Sequence, residues 1–272
     1  MPAPLPPPIQ RGNPVTPAPA QKKGTVSFGK PTTGMGRRII LYGTGGIGKT
    51  TLASFAPNPA FVDLDESLGR LNMDAKVVSG IETWAMLRSA LQSDGWNGVD
   101  TIIIDTITKG EELAIAHTLA NVKTEKGATA TSVEDYGYGK GYVHVFDTFM
   151  GLLMDLDRHA RAGRNVILIA HDCVAMAPNP DGEDFQQSQP RLQSPTSGKN
   201  SIRLRVKEWA DEVLFMGYDV SSKGGKGKGS GTRTLYPTER PSCMAKSRSW
   251  QDPIAILPDG GSDVWSKFIG VK

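Results

Sequence analysis

Residues 38–53 read Arg38-Ile39-Ile40-Leu41-Tyr42-Gly43-Thr44-Gly45-Gly46-Ile47-Gly48-Lys49-Thr50-Thr51-Leu52-Ala53. An apolar run leads into a glycine-rich turn, and a stretch free of breakers follows. The turn fits GxxxxGK[ST] in full, with an expected strand before it and an expected helix after it, the context this motif requires. Glycines let consecutive backbone N–H groups curl around phosphate oxygens in dihedrals closed to residues that carry a Cβ. The start of the following helix adds partial positive charge. Gly43 to Thr51 is therefore the expected phosphate cradle. Lys49 would reach the β- and γ-phosphates and the Thr50 hydroxyl would ligate Mg²⁺.

Such a site needs an acid at the end of a buried strand. Thr101-Ile102-Ile103-Ile104-Asp105-Thr106 supplies one, and Asp105 is expected to hold the magnesium through water, opposite Thr50. Hydrolysis also needs a group that orients or deprotonates the attacking water. Phe61-Val62-Asp63-Leu64-Asp65-Glu66 ends another strand with three acids. Strand alternation sends Asp63 and Asp65 to one side and Glu66 to the other, a rule that weakens past the strand end. Asp65 or Glu66 is the catalytic-base candidate. His171 follows the apolar run Val166–Ala170. It is either a polar group beside the γ-phosphate or a satisfied structural histidine.

Farther out, short apolar runs alternate with helical stretches. Strands are expected at 38–42, 60–64, 101–104 and 165–170. Helices are expected from about Lys49, over 82–92, over 110–120 and over 142–162, where Val145, Phe149, Leu152, Leu153 and Leu156 share a face. Strand–helix alternation with continuously apolar strands implies a mostly parallel central sheet with helices on both faces. Two stretches break the pattern. Residues 175–200 are rich in Pro, Gln, Ser, Asp and Gly and read as a long loop, either functional or disordered. Ser221–Gly231 combines glycines with three lysines, Lys223, Lys226 and Lys228, and reads as a mobile hairpin tip.

Charge is unevenly placed. The 272 residues carry a net +3. The first 38 hold six basic and no acidic side chains, so the remaining 234 hold 25 bases against 28 acids. Eight of the 19 prolines lie within residues 1–20, where there is little apolar surface to offset the entropy of ordering. Residues 1–34 are thus expected to be a flexible, basic, Pro-rich arm, either a solvated leader or a tether for nucleic acid or protein. Residues 35–272 are expected to form one ATPase domain. At 38% hydrophobic and 22% charged, the composition excludes a collagen, a wholly disordered chain and a disulfide scaffold. No apolar run approaches the twenty or so residues of a membrane span. Cys173 and Cys243 are expected to be free thiols, and the location cytoplasmic.

GTPase signatures such as NKxD and DxxG are missing, and the late loop lacks the arginines of a small-molecule kinase lid. Thr106 stands where an AAA+ motor places a glutamate, which argues against that class. The order of motifs resembles the RecA-like recombinase core, whose catalytic acid follows its second strand. In that register the glutamate of the family falls on Asp65, with Glu66 adjacent. Met244-Ala245-Lys246-Ser247-Arg248 resembles the paired basic residues that such proteins insert into a neighbouring subunit's ATP site. The chain also resembles phage-encoded RecA-like ATPases associated with single-strand annealing, on Phe61–Glu66, Ile104–Thr106, Asp135-Tyr136-Gly137 and Ala245–Arg248.

The resemblance implies a RecA-like P-loop ATPase using ATP and Mg²⁺, acting on single-stranded DNA in phage recombination, annealing or replication. It implies a homo-oligomer or filament with Lys246 and Arg248 acting between subunits, a single-strand-binding protein as a further partner, and no membrane. DNA contacts are expected from Arg191, Lys199, Arg203, Arg205 and the Lys223–Lys228 tip. Tyr136, Tyr138 and Tyr142 either stack a base or pack. The alternative reading is a P-loop ATPase acting on a protein assembly, a loader or packaging-type factor. A weaker third is a nucleotide-binding switch that barely hydrolyses.

Overall fold

The computed structural model describes residues 33–70, 75–195, 198–223, 226–257 and 261–269, together with Met1 and Gly29. The chain divides between Thr33 and Gly34, and the expected arm lies almost entirely outside the described residues. The second unit is built around β1 (Arg38–Gly43). Ile39 and Leu41 pack into one apolar layer with Ile47, Leu52 and Ala53, while Ile40 and Tyr42 pack into the other. This alternation makes β1 a strand buried on both faces, the property that a parallel sheet requires.

Eight strands form the path of the sheet. Beyond β1 these are β2 (Pro59–Asp63), β3 (Lys76–Val78), β4 (Thr101–Asp105), β5 (Asn165–Ala177), β7 (Glu212–Lys223), β8 (Lys226–Tyr236) and β9 (Ile254–Ile256). Their order is β3-β2-β4-β5-β1-β7-β8-β9. From β3 to β7 every pairing is parallel, and β8 and β9 close the far side antiparallel. This is the mostly parallel arrangement that the sequence implies.

Helices cover both faces. On one side are α2 (Trp84–Gln92), α3 (Ile107–Asn121), α4 (Lys140–Arg161) and α5 (Ile202–Trp209), which present Trp84, Leu87, Phe149, Leu152 and Val206 to the sheet. On the other are α1 (Lys49–Ser54) and α6 (Ser262–Phe268), with Leu52, Val264, Trp265 and Phe268 turned inward. Thr83, Thr106 and Ser201 cap α2, α3 and α5 with their side-chain oxygens, each accepting from an otherwise unpaired backbone N–H.

The expected loop at 175–200 is corrected in part. β5 continues to Ala177 and pairs antiparallel with β6 (Phe185–Pro190), so a hairpin replaces its first half. Its irregular composition hides alternation of another kind. Gln187 and Gln189 point inward and are buried, while Val174 and Met176 point outward and are exposed. Ser221–Gly231 does form a hairpin, with Lys223 opposite Lys226. Both cysteines are free thiols. Among the described residues no helix is long and apolar enough to cross a membrane.

Candidate functional site

Parallel pairing carries the candidate residues to one edge of the sheet. The register sets Asp63 opposite Asp105 and Gly43 opposite His171, so the C-terminal ends of β2, β4, β5 and β1 lie side by side. A cleft at this edge, where loops from several strands converge, is where ligands bind open α/β sheets.

The glycine-rich turn leaves β1 here. Gly43 has φ +155°, and a Cβ on it would meet the Met216 carbonyl at 2.2 Å, so only glycine fits. Gly46 and Gly48 are also left-handed. Thr44, Gly45 and Gly46 are exposed, Ile47 is buried among the apolar residues of α1 and the sheet, and Thr51 is exposed on the first turn of α1. The turn is anchored at Ile47 and open above it.

Lys49 is buried. Its Nζ donates to the Gly43 carbonyl at 2.8 Å and the Thr44 carbonyl at 2.9 Å. Burial lowers its pKa, opposed by the charges of Asp105, Asp172 and Asp65. Thr50 Oγ1 donates to Asp105 Oδ2 at 2.7 Å. Burial raises the Asp105 pKa to about 6, the Thr50 hydrogen bond opposes the rise, and Asp65 and Asp63 add to it. The Thr50–Asp105 pair is two hard oxygen donors, one anionic, beside an open phosphate cradle. That donor set fits Mg²⁺, which takes few protein ligands and completes its shell with water and phosphate oxygens. Among the described residues no cluster of three His, Cys, Asp or Glu offers a different metal site.

The two acids after β2 part company. Asp65 lies 3.8 Å from His171 Nε2, and its charge acts on Lys49, Asp105 and His171. Glu66 has φ +51° and lines a groove with Asp63, Leu68, Val77 and Gly80. Asp63 turns back to accept from the Ser67 and Leu68 amides at 3.3 Å. Desolvation lowers the His171 pKa first, then the Lys49 and Arg191 charges, which favours a neutral imidazole.

Other expected residues lie elsewhere. Lys246 Nζ donates to the carbonyls of Lys207, Glu208 and Ala210, which satisfies the open C-terminal end of α5. Arg248 pairs with Asp211 at 3.0 Å with its side chain 56% exposed. Asp211 also binds Arg38, the first residue of β1, so this basic pair sits at the opposite end of the strands from Gly43. Arg203, expected as a DNA contact, hydrogen-bonds Gln189, Leu192 and Cys173 within the chain. Arg191, Lys199 and Arg205 are exposed, the last within 3.5 Å of Glu208. The side chains of Lys223, Lys226 and Lys228 lie outside the described residues.

Among the tyrosines, Tyr136 is buried and donates to the Thr118 and Val122 carbonyls, so it packs. Tyr142 bonds Glu134, and Tyr138 stands fully exposed. Sequence reasoning misses two features of the site. One is the tie between His171 and the segment after β6: Arg191 N donates to His171 O, and Thr108 Oγ1 bridges the His171 amide and the Arg191 carbonyl. The other is Arg233 on β8, whose Nη1 donates to the Ile47 carbonyl at 3.2 Å. No local motif marks either one. The signal is the pairing register.

Over residues 35–249 the chain matches the family model described as an AAA domain. No curated protein matches it. Similar solved structures include a KaiC-like protein from the hyperthermophilic archaeon Pyrococcus horikoshii, 16% identical over 84% of this chain and 88% of that one, with a TM-score of 0.45. Another is the flagellar accessory protein FlaH from Methanocaldococcus jannaschii, 13% identical over 88% of this chain and 90% of that one, with a TM-score of 0.40.

Proposed function

The chain belongs to the AAA domain family over residues 35–249, and from that premise we propose that it binds ATP with Mg²⁺ at the Gly43–Thr51 turn and hydrolyses it. The observation that carries this reading is the 2.7 Å Thr50–Asp105 bond beside a buried Lys49. The sequence argued away from AAA+ motors because Thr106 follows Asp105. Thr106 instead caps α3, and the carboxylate 3.8 Å from His171 Nε2, Asp65, follows β2.

In the proposed mechanism the turn's amides and Lys49 bind and orient the polyphosphate. Lys49 exchanges two loop carbonyls for phosphate oxygens, and Thr50 with Asp105 would hold Mg²⁺. The metal, when bound, neutralises charge on the phosphate oxygens. Asp65 is the general base: it accepts a proton from the attacking water, with His171 beside it as a polar contact for the γ-phosphate. The bond between the γ-phosphorus and the bridging oxygen breaks, giving ADP and phosphate. Neutralisation in trans falls to Arg248 of a neighbouring copy in a homo-oligomer, since Lys246 is spent within its own chain.

The partner we propose is single-stranded DNA, supported by the exposed bases Arg191, Lys199 and Arg205 and by the exposed ring of Tyr138. Bases that track a backbone and an aromatic platform suit single strands without sequence preference. Arg191 also joins this surface to His171 through one backbone hydrogen bond. A second reading, action on a protein assembly, draws on Val174 and Met176, exposed at 64% and 58% on the hairpin next to His171. Phosphate release with and without oligonucleotide separates the two. Stimulation by single strands that fades with salt supports the first, and no stimulation with no salt-sensitive binding sinks it.

A further inference from the structure

We propose that Arg233 is a second cation of the phosphate site, supplied by β8 of the same chain, and that it binds the polyphosphate of the nucleoside triphosphate directly. The proposal rests on the nucleotide reading above and adds a ligand-binding residue to it.

Register places the residue. β1 pairs with β7 so that Gly43 faces Met216, and β7 pairs with β8 so that Met216 faces Leu235 and Tyr218 faces Arg233. Leu235 is buried in the same apolar layer as Ile47 and Leu52. Side chains two apart on a strand share a face, so Arg233 leaves the sheet on the side of α1. It stands one step beyond the edge at which the glycine-rich turn begins.

Arg233 Nη1 donates to the Ile47 carbonyl at 3.2 Å. A Cβ built on Gly48 would lie 2.5 Å from the same nitrogen, so the guanidinium rests against the residue before Lys49. Among the described residues, no carboxylate forms an ion pair with Arg233. One carbonyl bond leaves most of its five N–H donors free for a ligand. A half-buried guanidinium without a counter-ion, beside a loop that also carries Lys49, is favourable when an anion sits between the two cations. Its planar fork matches phosphate oxygens in a way that an ammonium does not. The anion available at Gly48 is the one that the turn itself cradles.

Equilibrium titration of the full-length protein with a fluorescent ATP analogue and Mg²⁺ tests this without relying on turnover. Arg233→Gln removes the charge and keeps a polar side chain, too short to reach the Ile47 carbonyl that Nη1 meets at 3.2 Å, so the melting temperature is read beside the affinity. Its affinity is expected to fall roughly tenfold, with Arg233→Lys between it and the wild type, and with an unchanged melting temperature in the absence of nucleotide. Wild-type affinity in Arg233→Gln, beside a Lys49→Ala variant that has lost binding, overturns the role of Arg233 and leaves the turn as the nucleotide site. If the wild-type chain itself binds no analogue, the nucleotide reading fails first and takes this one with it. Should Arg233→Gln melt earlier, Arg233→Lys decides: an affinity above that of Arg233→Gln at wild-type stability marks the charge as the working feature, and an affinity no better than that of Arg233→Gln overturns the direct contact.

Discussion

Asp65 and Glu66 are neighbours in sequence and take different surroundings. Glu66 sits on a left-handed turn and lines a groove with Leu68 and Val77, while Asp65 stays 3.8 Å from His171. Asp65→Asn is therefore expected to lower kcat by about 10²-fold or more with little change in KM, the size of a lost general base. Glu66→Gln should leave both near wild type. Steady-state phosphate release measures this, and a reversed ranking would move the base to Glu66. At this scale the sequence is uneven. Gly43 to Thr50 and Asp105 are legible because a loop that wraps phosphate needs specific residue types at fixed spacing. The choice between Asp65 and Glu66 is not, because strand alternation ends with the strand and one backbone dihedral decides it. Arg233 is likewise silent: it lies 184 positions from Lys49 in the numbering and meets the turn only through two strand pairings.

The elements show how composition misleads and how register corrects it. The Gln- and Ser-rich segment after His171 reads as loop, because polar residues that alternate in and out carry no hydrophobic period. It pairs nonetheless, with Gln187 Nε2 donating to the Arg240 carbonyl and Gln189 Nε2 to Gln187. Lys246 reads as a finger on a basic strand, yet three carbonyls of α5 and its end absorb its charge. α3 carries a testable pH effect. Glu111 accepts from the Gln193 amide at 2.7 Å. Burial raises its pKa from 4.5 to about 7, Glu112 adds to the rise, and the Gln193 bond with the Arg203 and Arg191 charges opposes it. The folded chain thus keeps a proton that the unfolded chain releases. That contribution is complete below about pH 4.5 and is lost as pH rises through about 7, at most about 3 kcal/mol. Melting temperature against pH should fall less steeply over this window in Glu111→Gln than in the wild type; parallel curves would show that the carboxyl titrates normally.

For the whole molecule, the net charge of +3 conceals two unlike parts, a basic N-terminal segment and a slightly acidic domain. Overall charge therefore says little about a nucleic-acid partner, and local placement of bases decides. The layered architecture is legible from apolar periodicity, since β1, β4 and the first six residues of β5 are buried on both faces and their runs are continuous. The antiparallel flank of β8 and β9 is less so, because β8 begins with a glycine-rich stretch and β9 is only three residues long, and neither leaves a clear apolar period. The sheet as a whole brings Lys49, Thr50, Asp105, Asp65 and His171 to one edge. Lys246 and Arg248 lie toward the other, where Lys246 is held by carbonyls of its own chain and Arg248 is left to serve a phosphate of a second copy in the proposed oligomer. The central claim is that this edge is an ATP-hydrolysing site. Phosphate release from ATP by the wild-type chain and by Lys49→Ala, each with Mg²⁺ and with excess EDTA, tests it most directly. The account predicts Mg²⁺-dependent release by the wild type, abolished both by EDTA and by the substitution. Equal release by Lys49→Ala, or none by the wild type under any of these conditions, would contradict it.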